Sequence, residues 1–137
     1  MTTFANFVLA SAALLVSSGA LSAQTVGTAD IPFGFRVPGA SLPAGKYTIQ
    51  TQAVGSNAAR ITARDMKKSV FVLAATTLTS PVGREEKSRL VFSCHADDCA
   101  LAEIWLGSEG QSVPSAHRRH YAGSERLAMI SVSVSPR

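Results

Sequence analysis

Between Ile31 and Val37 every second residue is apolar: Ile31, Phe33, Phe35 and Val37 alternate with Pro32, Gly34 and Arg36. A period of two is what a pleated strand imposes, and Pro32, which has no N–H to give, suits an edge position. A polar spacer follows, Pro38 to Gly45. Its prolines fix φ and its glycines supply unusual turns, so it reads as a stiff reversal. Lys46 to Ala53 then sets Tyr47, Ile49, Thr51 and Ala53 on one face and Lys46, Thr48, Gln50 and Gln52 on the other, the pattern of a half-buried strand. After the turn Gly55-Ser56-Asn57, Ala59 to Ala63 is a short strand carrying Ile61. Ser69 to Leu78 is apolar on both faces, which predicts the most central strand. Lys87 to Cys94 and Cys99 to Leu106 form a hairpin in which Trp105, the only tryptophan, anchors or borders the core. Pro114 followed by Ser115, a capping residue, predicts a short helix over Ser115 to Tyr121. Arg126 to Ser135 alternates again and closes the domain.

Turn residues at intervals of roughly 8–12 positions and the near absence of helical periods predict an all-β fold. The expectation is a single small antiparallel β-sandwich or flattened barrel of about seven strands, with one short helix near the C-terminus.

The N-terminus follows a different rule. Residues 1–23 contain no Asp, Glu, Lys or Arg, and Phe7 to Val16 is an apolar run of the length of a signal h-region. Ser17-Ser18-Gly19 and Ala20-Leu21-Ser22-Ala23 follow, so a signal peptide cleaved after Ala23 is expected, although Met1 to Asn6 carries no basic residue. A bilayer span needs roughly 20 apolar residues; this run is shorter, and no transmembrane segment is expected after cleavage. Residues 24–137 suit one small domain with one core. A net charge of +4, with both signs interspersed, bears on solubility rather than on a partner.

The order of motifs, IPFGFRVPGASLPAGKYTI at residues 31–49, RLVF at residues 89–92 and LAEIW at residues 101–105, resembles that of a family of small secreted bacterial β-rich proteins of unknown function. The resemblance covers nearly all of the chain after the signal. It implies the fold and an exported location, and it brings no activity or site residue with it. The hairpin tip departs from that family's pattern, which runs from LVF into aromatic and basic residues. Here it is Ser93-Cys94-His95-Ala96-Asp97-Asp98-Cys99.

That departure is one of two places where chemistry collects. Cys94 and Cys99 flank a four-residue tip, and an even pair of cysteines in an exported chain favours a disulfide. The competing reading is a metal or redox site on Cys94, His95 and Cys99, with Asp97 and Asp98 as hard ligands in the same loop, but the spacing is not that of a zinc ribbon and no second cysteine pair exists. The second place is His117-Arg118-Arg119-His120-Tyr121, whose charges suit a solvated basic face or contact with an anionic partner such as an acidic polymer or lipid head groups. Nucleic acid is disfavoured, because aromatic residues are not interleaved with the basic ones.

Catalysis finds little support. Ser108, Ser112 and Ser115 lie in no nucleophile-elbow pattern. Glu85 and Glu86 are adjacent, so on a strand they point to opposite faces. Glu103, taken with Leu101 and Trp105 on one face, reads as an edge carboxylate paired with Arg89 or another basic group rather than as an acid of raised pKa. The exposed aromatic platforms of a sugar site are also missing, since Tyr47 and Trp105 are core candidates and only Tyr121 remains. The expectation is therefore a non-catalytic, secreted or periplasmic protein without a cofactor, acting by surface contact on an envelope protein or acidic polymer.

Overall fold

The structure, a computed structural model, describes residues 25–51, 57–65, 67–80, 87–117 and 125–136. The expected signal peptide lies outside the described residues. Within them the chain is all-β, with no helix. Its strands are β1 (Thr25–Ile31), β2 (Phe35–Val37), β3 (Ala40–Leu42), β4 (Gly45–Thr51), β5 (Ala58–Ala63), β6 (Ser69–Leu73), β7 (Thr76–Thr79), β8 (Arg89–His95), β9 (Asp98–Leu106), β10 (Glu109–Ser112) and β11 (Ala128–Pro136). Their order is β3-β2-β9-β8-β11-β1-β4-β5-β6, with β10 beside β9 and β7 beside β10.

β11 makes the sheet curl. Its first part pairs with β8 from Ala128 to Ser133, and its last part pairs with β1 from Val134 to Pro136. One strand thus belongs to both halves, and the sheet wraps into a nearly closed, barrel-like form whose two inner faces meet. One half contributes Ala29, Ile31, Tyr47, Ile49, Ile61 and Val72 to the core, and the other Phe35, Val37, Leu42, Leu90, Phe92, Leu101 and Ile104. At the centre Phe92 meets Phe33 and Phe35 edge-on, with ring centroids 5.0 and 5.2 Å away, and Phe35 meets Tyr47 at 5.3 Å.

Four expectations need correction. The described residues form eleven strands, not about seven. The extra ones are short, because Pro32 cannot donate to a ladder and the run Ile31 to Val37 breaks after Ile31 into β1 and β2. The spacer is itself a hairpin: Val37 pairs with Ala40 across Pro38-Gly39, with Gly39 at φ 83°, the positive value that a turn with proline first and glycine second needs.

The stretch Ser69 to Leu78 is not central. It divides into β6 and β7, and β6 ends the sheet with Phe71 60% and Leu73 69% exposed.

The helix expected over Ser115 to Tyr121 is also not observed. Val113 N donates to Ala102 O at 2.8 Å, which carries the chain on alongside β9. The described residues 113–117 are extended or irregular, and Arg118 to Tyr121 lie outside the described residues.

Finally, Leu101 and Trp105 do not share a face. The β8–β9 register shifts so that Val91 faces Glu103 while Phe92 faces Leu101, leaving Ala102 as an extra residue. Such a bulge reverses the inward and outward alternation. Leu101 and Ile104 therefore join the core, and Glu103 and Trp105 lie on the outer side.

Candidate functional site

The hairpin of β8 and β9 turns through Ala96 and Asp97, because His95 pairs with Asp98. Ala96 takes φ 54° to close so short a loop. Immediately below, Cys94 and Cys99 are directly opposite, 4.1 Å apart between Cα atoms, and joined in a disulfide. The tip is thus fixed by a covalent bond. Both sulfurs are committed to it, so the alternative ligand set Cys94, His95 and Cys99 has thiolates only after reduction. Among the described residues no group of three or more His, Cys, Asp or Glu is placed to hold a metal ion.

His95 stands at the rim with its side chain 41% exposed, 4.0 Å from Glu125 Oε2. His117 does the reverse of what a solvated basic face requires. Its side chain is 5% exposed, with Nδ1 3.4 Å from Asp98 Oδ2 and Nε2 2.7 Å from Ser93 Oγ. To get there, the chain after β10 must cross β9, because Ser112 lies beside Glu103 while Ser93 is on β8 opposite Ala100. Residues 113–117 thus strap the outer face of the hairpin, and Ala100 beneath is 1% exposed. Arg118, Arg119, His120 and Tyr121 lie outside the described residues.

Ser93, His117 and Asp98 are ordered as hydroxyl, imidazole and carboxylate. With the imidazole proton on Nδ1 toward Asp98, Nε2 accepts from the Ser93 hydroxyl. That arrangement can move a proton, but acyl transfer also needs donors aimed at the developing oxyanion. Ser93 lies on a strand flanked by β9 and β11. The N–H groups around it therefore lie in the sheet plane, directed at ladder partners.

Beside the trio a groove of about 760 Å³ opens at the end of the barrel. Phe33 and Ile130 give it apolar surface, and Arg36, His95, Asp97 and Asp98 give it charge of both signs. Asp98 belongs to both places: its carboxylate faces His117, and the residue lines the groove.

Away from the tip, Trp105 Nε1 donates to Glu103 Oε2 at 2.6 Å, and the Arg89 guanidinium lies 5.0 Å from the Trp105 ring centre. Glu103 is therefore partnered by the indole, with Arg89 stacked over that same ring.

Ser93, Arg36 and Phe33 had no place among the sequence candidates, and Asp98 entered only as a further ligand in the metal reading of the hairpin tip. Ser93 carries one usable signal, its outward position between the inward Phe92 and Cys94. Its contact with His117 spans 24 residues and has no local signature. The chain matches no protein-family model, no curated protein and no solved structure.

Proposed function

We propose that the protein is an exported, non-catalytic module of the envelope or extracellular space that works by surface contact, with the groove at the hairpin tip as its contact surface. The observation that carries this reading is the convergence there of segments far apart in the chain, Phe33 to Arg36, Ser41, His95 to Cys99 and Ile130, on a tip held by a disulfide. A rigid scaffold under a mixed apolar and charged concavity is the usual build of a binding site.

Export is supported by the uncharged, apolar N-terminal segment, by the disulfide, which persists in oxidising compartments, and by the resemblance to small secreted bacterial proteins. The partner is a polypeptide, an envelope protein, rather than an acidic polymer. Asp97 and Asp98 on the rim repel a polyanion, whereas Arg36, His95 and the apolar floor suit a peptide segment of mixed character. Polyanion contacts would fall to Arg118 and Arg119.

A photo-crosslinker replacing Ser41 or Asp97 in the full chain, activated in intact cells, should trap one defined envelope polypeptide. Arg36→Glu should lower the yield by roughly tenfold, the effect of losing a central interface arginine, whereas Arg118→Ala with Arg119→Ala should leave it. Equal trapping by the Arg36 variant would remove the groove from the account. Ester or peptide turnover that disappears in Ser93→Ala would remove the non-catalytic class.

A further inference from the structure

Two strands end the path of the sheet, and they are not alike. β3 is short and follows Pro38-Gly39, with Pro43 just beyond it. Brevity and flanking prolines are how natural sheets blunt an edge. β6, Ser-Val-Phe-Val-Leu, has no proline, charge or bulge in its five residues, and among the described residues only β5 pairs with it. Its outer side presents Phe71 and Leu73, 60% and 69% exposed, while Val72 on its inner side is 1% exposed.

The hydrogen-bonding parity of that edge can be read from its ends. Ala63 N donates to Lys68 O and Ala74 N donates to Asn57 O, so Lys68, Val70, Val72 and Ala74 turn their backbone groups toward β5. Ser69, Phe71 and Leu73 alternate with them, and their N–H and C=O groups point away from the sheet.

We propose that a second copy of this chain covers this edge, β6 pairing antiparallel with β6 of the copy about a two-fold axis at Phe71. In that register Phe71 faces its own equivalent and Ser69 faces Leu73, each pair exchanging both N–H···O bonds. On the outer face the Phe71 rings meet across the axis, with Leu73 diagonal to them. On the inner face Val70 faces Val72, which extends the apolar layer.

Charge favours this partner. Residues 69–83 carry no Asp, Glu, Lys or Arg, so the edge offers nothing for a charged strand to match. The nearest cations also stay apart: Lys68 falls opposite Ala74 and Lys67 opposite Ala75 of the copy. Arg60 reaches across to β6, its guanidinium 5.8 Å from the Phe71 ring centre and donating to Ser69 Oγ at 3.2 Å; Ser69 and its equivalent are four residues apart along the paired strands, which sets the two guanidinium groups roughly 14 Å apart, beyond the screening length at physiological salt. A two-fold pairing also closes on itself, leaving no further β6 edge to propagate a fibre.

The test is the mass in solution of protein expressed from the full chain, by light scattering across a concentration series. The expected result is a monomer–dimer equilibrium with a Kd on the order of micromolar, because one edge is a small interface. Phe71→Lys and Leu73→Lys alter exposed side chains and should each weaken dimerisation at least roughly tenfold with unchanged circular dichroism. Thr79→Lys on exposed β7 should not weaken it. In the double variant Ser69→Cys, Leu73→Cys, the hydrogen-bonded pairs lie about 5.5 Å apart between Cα atoms, within disulfide reach, so oxidation should yield a covalent dimer. A wild-type chain that stays monomeric at millimolar concentration overturns the proposal, as does a dimer that persists undiminished in Phe71→Lys. Failure of the oxidised variant to cross-link while the wild type dimerises overturns the register.

Discussion

Phe92 and Phe71 are the same residue type, each at the middle of its strand and each preceded by a valine, yet one is 0% and the other 60% exposed. Phe92 lies on β8, which has a strand on either side and the opposite half of the barrel-like sheet against its inner face. Phe71 lies on β6, with one strand beside it among the described residues and its ring on the outer face. Position in the strand order, not local composition, decides which aromatic is core. Substituting each in turn should give the widest gap in stability. Phe92→Ala removes a ring packed edge-on against Phe33 and Phe35 and should cost about 3–5 kcal/mol. Phe71→Ala, at concentrations where the chain is monomeric, should stay within about 0.5 kcal/mol, the usual range for exposed sites. Urea midpoints measure both, and equal losses would mean that β6 is covered within the monomer.

The same contrast marks what the sequence makes legible. Alternation at Phe35, Val37, Tyr47 and Ile49 was readable because one face of those strands is wet. The Cys94–Cys99 bridge was readable because it joins the mouths of a local turn. Ser69 to Leu78 misled, since an uninterrupted apolar run is what a buried central strand shows, and strand order is set by pairings far apart in the chain. The expected helix failed for a related reason. The local cap Pro114-Ser115 was outweighed by the Val113 bond to Ala102 and by the distant partners of His117, Ser93 and Asp98. The register shift at Ala102, which moved Trp105 to the outer side, has no mark in residue type.

Trp105 supplies the second way to sharpen the comparison, because it is buried without belonging to the central core. A Cβ added at Gly110 would stand 2.6 Å from its ring atoms Cδ2 and Cε3, closer than real contacts allow. Gly110→Ala must therefore move the indole or β10, at a cost of about 1–3 kcal/mol, and should shift the emission of the single tryptophan. An unchanged spectrum with unchanged stability would show that the outer side of β9 yields as readily as the edge at β6.

Tyr47 gives the smallest effect and tests a strand between the two regimes, since β4 is separated from β6 only by β5. It is 2% exposed, its hydroxyl donates to Pro43 O, and burial raises its pKa above the ordinary 10.0. The folded state therefore prefers the protonated phenol. Its contribution is fully present below the unfolded value of about 10 and is lost as pH rises through the higher folded value. Tyr47→Phe should cost about 0.5–1.5 kcal/mol at pH 7 through the lost hydrogen bond, and the variant should lack this alkaline decline. The urea-derived stabilities of wild type and variant should then converge as pH rises above about 10, with the groups common to both cancelling. Parallel curves would mean that Tyr47 ionises as freely in the folded chain as in the unfolded one. In that case the firm packing of the centre would end before β4, and the yielding edge would be three strands wide rather than one.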